Sequence, residues 1–155
     1  MINLTLTLVR GHIEMKIAFV SCTKLKEDYP CPAKRMYQKS HLFRKAIAYI
    51  EQCSYDDWFI LSAKYGLLEK EELIAPYDVT LNDMKISERK RWAYFVLKQI
   101  DELNLNIQQI DFYAGKKYRE FLLPALEEKG ICCHVPLKGK SIGQQQQFYS
   151  KHIRS

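Results

Sequence analysis

Four stretches of this chain place lysines, hydroxyls and glycines where an apolar run has just ended. Ser21-Cys22-Thr23-Lys24 follows KIAFV, and Ser62-Ala63-Lys64-Tyr65-Gly66 follows DWFIL. Gly115-Lys116-Lys117-Tyr118 follows IQQIDFYA, and Lys138-Gly139-Lys140-Ser141, with Gly143 just beyond, follows ICCHVPL. These residue types suit an anionic ligand with a flat apolar part. Glycine lets backbone N–H groups come close to an oxyanion. Lysine is a point charge for phosphate. Tyr65, Tyr77 and Tyr118 offer rings that stack on a base and hydroxyls that reach a sugar. Connections also collect Lys, Gly and Ser for solvation alone, so each stretch taken singly is an ordinary loop.

Other positions carry chemistry by type. Asp78, in PYDVT, is the acid best placed to act as a general base on water, or else it caps a turn. Cys22 lies one residue beyond an apolar run, flanked by Ser21 and Thr23 and close to Lys24. It is a candidate thiolate nucleophile or a small packing residue. Cys132 and His134 stand two apart in a run with strand character, so they share a face and are metal-ligand types. The expectation is nevertheless that no metal and no cofactor is used. His41, directly after the helix-capping Ser40, is expected on the surface.

The elements that must position these residues follow from periodicity. Short apolar runs rich in β-branched and aromatic residues predict strands over 16–21, 57–63, 107–114 and 131–136. Ser40 predicts the start of a helix whose Leu42, Phe43, Ala46, Ile47 and Ile50 recur at helical spacing. Ser87 predicts a second start, with Trp92, Phe95, Val96, Gln99, Ile100 and Leu103 as its stripe. A third helix over 117–129 ends at Gly130, with Pro124 expected to kink or restart it. A last helix covers SIGQQQQFYSKHI. The long connections over 64–86 and around Pro30 and Pro32 read as irregular. The order β-α-β-α-β-α-β-α predicts an α/β fold. We expect one three-layer domain over 16–155, with a central, mostly parallel four-stranded sheet and helices on both faces. In such sheets ligands gather at the carboxyl ends of the strands, where the four stretches lie.

The chain has 155 residues, 47% hydrophobic and 27% charged, which fits one globular domain and excludes disorder. Twenty-four Lys and Arg against 18 Asp and Glu give a net charge of +6 and a pI near 9.0, which favours a polyanionic or phosphate-bearing partner. Five cysteines, an odd number with no Cys-x-x-Cys pair, argue against a disulfide framework or a zinc knuckle and point to a reducing cytoplasm. MINLTLTLVRGHIEM is too polar to span a membrane, and no membrane association is expected. Residues 1–15 read either as an extra edge strand or as a leader before Met15. There is no internal repeat.

Taken together, CTKLK, PAKRMYQKSHLFRKA, ILSAKYGLL, PYDVTL, AGKKYREFLLPAL and PLKGKSIGQQQ resemble, in this order, an uncharacterised family of small bacterial and phage domains. The resemblance covers about residues 16 to 150. That family is distantly similar to the core domain of archaeosine synthase, and through it to the uracil-DNA-glycosylase type of α/β fold. Proteins of this sort are also likened to the YaaA peroxide-stress protein, which binds DNA. The resemblance implies a site for a nucleobase, nucleotide or nucleic acid. By position Lys24 matches the motif lysine of archaeosine synthase and Asp78 the acid of its Tyr-Asp pair, while Thr23 stands where serine is common. The intercalating leucine loop and His-Pro-Ser-type segment of a working uracil glycosylase are missing, which argues against uracil excision itself.

The resulting expectation is a base-processing enzyme that cleaves or exchanges an N-glycosidic bond or modifies a base. Asp78, Lys24 and Cys22 are its candidate catalytic groups. Ser21, Thr23, Ser62, Lys64, Tyr65, Gly66, Tyr77, Gly115, Tyr118, Gly139 and Gly143 are its candidate substrate contacts. The alternative is a non-catalytic nucleotide- or nucleic-acid-binding protein of a stress or phage-defence kind.

Overall fold

The computed structural model describes residues 13–154. Of the expected leader or edge strand over residues 1–15, residues 1–12 lie outside them, and Met15 opens the first described strand. A five-stranded sheet runs in the order β4-β3-β1-β6-β7, built from β1 (Met15–Ser21), β3 (Asp57–Ser62), β4 (Gly66–Leu68), β6 (Ile107–Tyr113) and β7 (Cys132–His134). β3, β1, β6 and β7 are parallel, and β4 pairs antiparallel to β3. Cys31–Pro32 (β2) and Leu73–Ile74 (β5) form a separate two-stranded antiparallel ribbon.

The sheet thus has one strand more than expected. The residues after β3 do not enter a long irregular loop; Gly66–Leu68 folds straight back onto Ile60–Ser62. GLL is too short to show a period of two, so the hairpin leaves no sequence signal. The segment over 64–86 also contains β5 and a 3₁₀ turn at Leu81–Asp83.

Among the described residues six helices complete the fold: α1 (Ala33–Met36), α2 (His41–Gln52), α3 (Ile86–Glu102), α4 (Lys116–Arg119), α5 (Leu122–Glu128) and α6 (Ile142–His152). Ser40 caps α2 as expected, its hydroxyl accepting from the Phe43 N–H at 3.1 Å. Ser87 does not cap α3. The cap lies two residues earlier, at Lys85, so that the helix starts at Ile86, and Glu88 reaches back to the Lys85 N–H at 3.3 Å. The expected helix over 117–129 is two helices that break at Glu120 and Phe121. Pro124 then falls in the first turn of α5, where its missing N–H costs nothing.

Alternate residues of the strands feed two cores. Ala18, Val20, Trp58 and Ile60 pack with Phe43, Ala46 and Ile50 of α2 and Tyr149 of α6. Ile17, Phe19, Phe59, Leu61 and Phe112 pack with Trp92, Val96 and Ile100 of α3 and with Leu122 and Leu126 of α5. The central strands are therefore buried on both sides, which is why their sequences are apolar without a break. Phe95 departs from the expected stripe and is 46% exposed.

Candidate functional site

β1 lies between β3, which follows it in the chain, and β6, which comes after an excursion to the other side. Strand order reverses there, and that is where an open parallel sheet leaves a crevice at its carboxyl edge. A cleft of about 520 Å³ occupies this place. Its floor is apolar and aromatic, with Val20 and Tyr113 from the strand ends, Leu42, Phe43 and Ala46 from α2, and Tyr149 from α6. Its rim carries Lys116, Lys117, Arg119, Lys138 and Lys140. No carboxylate is among the described residues that line it.

The rim is set by local geometry. The Lys140 N–H bonds the Leu137 carbonyl at 3.1 Å, closing a turn whose third residue, Gly139, has φ +82°. That conformation suits glycine, and it puts Lys138 and Lys140 on either side of the turn. Opposite, Gly115 leads into α4, which presents Lys116, Lys117 and Tyr118.

The exit of β3 is a different object. Ser62 and Gly66 pair across a hairpin, and the Ser62 hydroxyl accepts from the Tyr65 N–H at 3.0 Å and the Lys64 N–H at 3.3 Å. Lys64 and Tyr65 are thus at a hairpin tip. The ammonium of Lys64 lies 5.3 Å from the Tyr65 ring centre, and neither residue lines the cleft. Ser62 also donates to the Tyr77 hydroxyl at 2.9 Å, and Tyr77 shares a hydrogen bond of 2.7 Å with Tyr37. The Ser62 carbonyl accepts from Trp92 Nε1 at 2.9 Å. The Trp92 ring meets Tyr118 edge-on at 5.6 Å. Cys22 closes the circle: its N–H bonds Leu61, and its Sγ lies 3.2 Å from the Tyr118 hydroxyl. Burial first, and then the nearby Cys22 thiol, hold the phenols of Tyr77 and Tyr118 well above the usual tyrosine range. They stay protonated donors at neutral pH.

The expected contacts therefore divide. Ser21, Thr23, Gly115, Tyr118 and Gly139 line the cleft. Gly143 lies in the first turn of α6, between the lining residues Ile142 and Gln145. Ser62, Tyr77 and Cys22 form the hydroxyl and thiol network behind Tyr118. Gly66 is accounted for by its backbone, as argued below. Lys24 and Asp78 are exposed and outside the lining, and Asp78 has no hydrogen-bond or ion-pair partner among the described residues. Sequence reasoning passed over the floor residues Phe43, Tyr113 and Tyr149, because apolar residues on a helix or strand read as plain core. Arg119 was missed although it directly follows the AGKKY stretch.

Residues 17–151 match a family described as "Family of unknown function (DUF6884)". The chain belongs to this family. The match takes in all four strand exits and the whole of the DUF6884 cleft. No curated protein matches the chain. Among solved structures the fold is similar to "Crystal structure of AF0587, a protein of unknown function", with a TM-score of 0.52 and 14% identity. That likeness covers 97% of this chain and 50% of the other, so the DUF6884 chain spans half the length of that protein.

Proposed function

We propose that this protein binds a nucleotide, free or within a nucleic acid, in the cleft between the ends of β1 and β6, and that it acts on the base. The observation that carries the reading is the lining: five cations and no carboxylate, among the described residues, above an apolar aromatic floor. A phosphate is drawn to such a rim and a base to such a floor. The net charge of +6 has the same sign. The likeness of the motifs to archaeosine synthase and uracil-DNA-glycosylase folds supports the same ligand class. Helix-packed cores fed by both faces of the sheet support the reading of a three-layer domain. Five free cysteines favour a reducing cytoplasm. No described helix is long and apolar enough to cross a membrane.

A thermal-shift screen of nucleobases, nucleosides, nucleotides and short single-stranded oligonucleotides tests the binding. A phosphate-bearing nucleoside is expected to raise the melting temperature of the wild type, and Lys138→Ala/Lys140→Ala to abolish most of that rise. Both lysines are exposed, so the double variant keeps its fold. Lys64→Ala, at the hairpin tip, separates the two exits: a loss equal to that of the double variant would move the ligand to the end of β3. No shift with any compound would overturn the reading.

Processing at the N-glycosidic bond rests on Asp78. Its neighbour Tyr77 is tied through its hydroxyl to both Ser62 and Tyr37. A bound nucleotide that reaches over Tyr118 brings its sugar toward this loop. Asp78→Asn is expected to lower turnover by about a hundredfold or more while affinity stays within about twofold. Wild-type binding with no release of base would leave the non-catalytic binder as the better description.

A further inference from the structure

Away from the cleft, at the β7 edge of the sheet, three side chains of another kind stand in line. Cys132 and His134 project from one face of β7, and Asp111 on β6 is the register partner of His134. His134 Nδ1 lies 3.3 Å from Asp111 Oδ1, and His134 Nε2 lies 3.5 Å from Cys132 Sγ. Asp111 is buried and held: the Tyr55 hydroxyl donates to Oδ2 at 2.6 Å and Gln109 Nε2 to Oδ1 at 2.8 Å. A carboxylate facing Nδ1 keeps the proton there, and Nε2 then presents its lone pair to the thiol. Nucleophile, base and orienting acid in this order form the arrangement that activates a thiol.

The geometry is that of a relay. The imidazole stands between its two partners, one nitrogen to each, so the three groups do not converge on a point where a metal ion could sit. In keeping with this, no group of described His, Cys, Asp and Glu side chains is placed to hold one. Cys132 is also exposed, whereas the other four cysteines are buried or half-buried. The flanking charges are few. Tyr55 carries Lys16 over its ring at 5.2 Å, and Glu127 acts on Cys133, which points to the opposite face.

We infer that Cys132 is a reactive thiol, activated by His134 and oriented through Asp111, that takes up small disulfides by exchange. His134 Nε2 removes the thiol proton, and the Cys132 sulfur attacks one sulfur of the disulfide. The disulfide bond breaks, and the departing thiolate takes the proton back from His134. The products are a mixed disulfide on Cys132 and one free thiol, with no other oxidant needed. A small partner fits because the relay lies outside the cleft, with the His134 side chain 53% exposed.

The test treats the reduced full chain with glutathione disulfide between about pH 6 and 9 and locates the adduct by peptide mass. Cys132 is expected to react first. His134→Gln should slow this reaction about tenfold at neutral pH and leave it unchanged above about pH 9, where the thiol ionises unaided. First reaction at another cysteine would overturn the inference, as would equal rates for wild type and variant at every pH. The order in which the wild-type cysteines react decides the matter if the variant is unstable.

Discussion

Raising the pH above about 10 is expected to destabilise this protein steeply. Tyr37, Tyr113 and Tyr149 are 0%, 8% and 1% exposed, and burial is the largest cause that lifts each phenol above its ordinary value of 10.0. An unfolded chain releases these protons near pH 10 and the folded chain keeps them. The stability they lend is therefore complete below about 10 and lost as the pH climbs toward the folded values. Each such tyrosine lowers stability by about 1.4 kcal/mol per pH unit in that window, so three remove about 4 kcal/mol per unit. A domain of ordinary stability, about 5–15 kcal/mol, has little left by about pH 12. Tyr55, Tyr77 and Tyr118, which are half-buried, are shifted in the same direction. Cys133, pushed up to about 12 chiefly by burial, adds the same trend from about pH 9 onward. Urea midpoints at about pH 9, 10 and 11, read with tyrosinate absorbance, check this. The absorbance of the buried phenols should develop only with unfolding. Titration of all ten tyrosines near pH 10 in an intact fold would contradict it.

Gly66→Ala is expected to cost about 3 kcal/mol, which lowers the melting temperature by roughly 6–12 °C. Gly66 has φ +73°, a left-handed conformation that an L side chain adopts at a cost of about 1–2 kcal/mol. A Cβ there would also stand 2.2 Å from Gln99 Oε1 and 2.7 Å from the Phe95 ring. Phe95 is half exposed and can swing away. Gln99 cannot move without loss, because its Oε1 accepts from the Leu67 N–H at 2.8 Å and its Nε2 donates to the Tyr65 carbonyl at 3.1 Å. Displacing it strips hydrogen bonds from the β3–β4 hairpin. Gly115→Ala is the contrast, since a Cβ there meets nothing within 4 Å and its φ is −67°. That change is expected to stay within about 0.5 kcal/mol. Equal melting temperatures for the two variants would show that the hairpin tolerates a side chain at Gly66.

The four parallel strands, the main helices and the carboxyl-edge location of the cleft could be read from the residues. KIAFV, DWFIL and IQQIDFY are apolar because both faces are buried, and Ser40 and Gly130 mark helix ends through short-range hydrogen bonding. The lysine-bearing exits after 114 and 137 could be read for the same reason: glycine, lysine and tyrosine following a buried run is a local pattern. What only the tertiary structure decided is which exits share a cleft. SAKYG has the same composition as AGKKY, yet Ser62 and Gly66 close a hairpin with Lys64 at its tip, while Gly115 and Tyr118 line the crevice. That difference depends on strand order, and the choice that β6 and not β3 borders the open side of β1 is made by packing over the whole sheet. The same holds for Asp111, His134 and Cys132. Cys132 and His134 are two residues apart and share a face by simple alternation, but the carboxylate that orients the histidine reaches it only through the β6–β7 register.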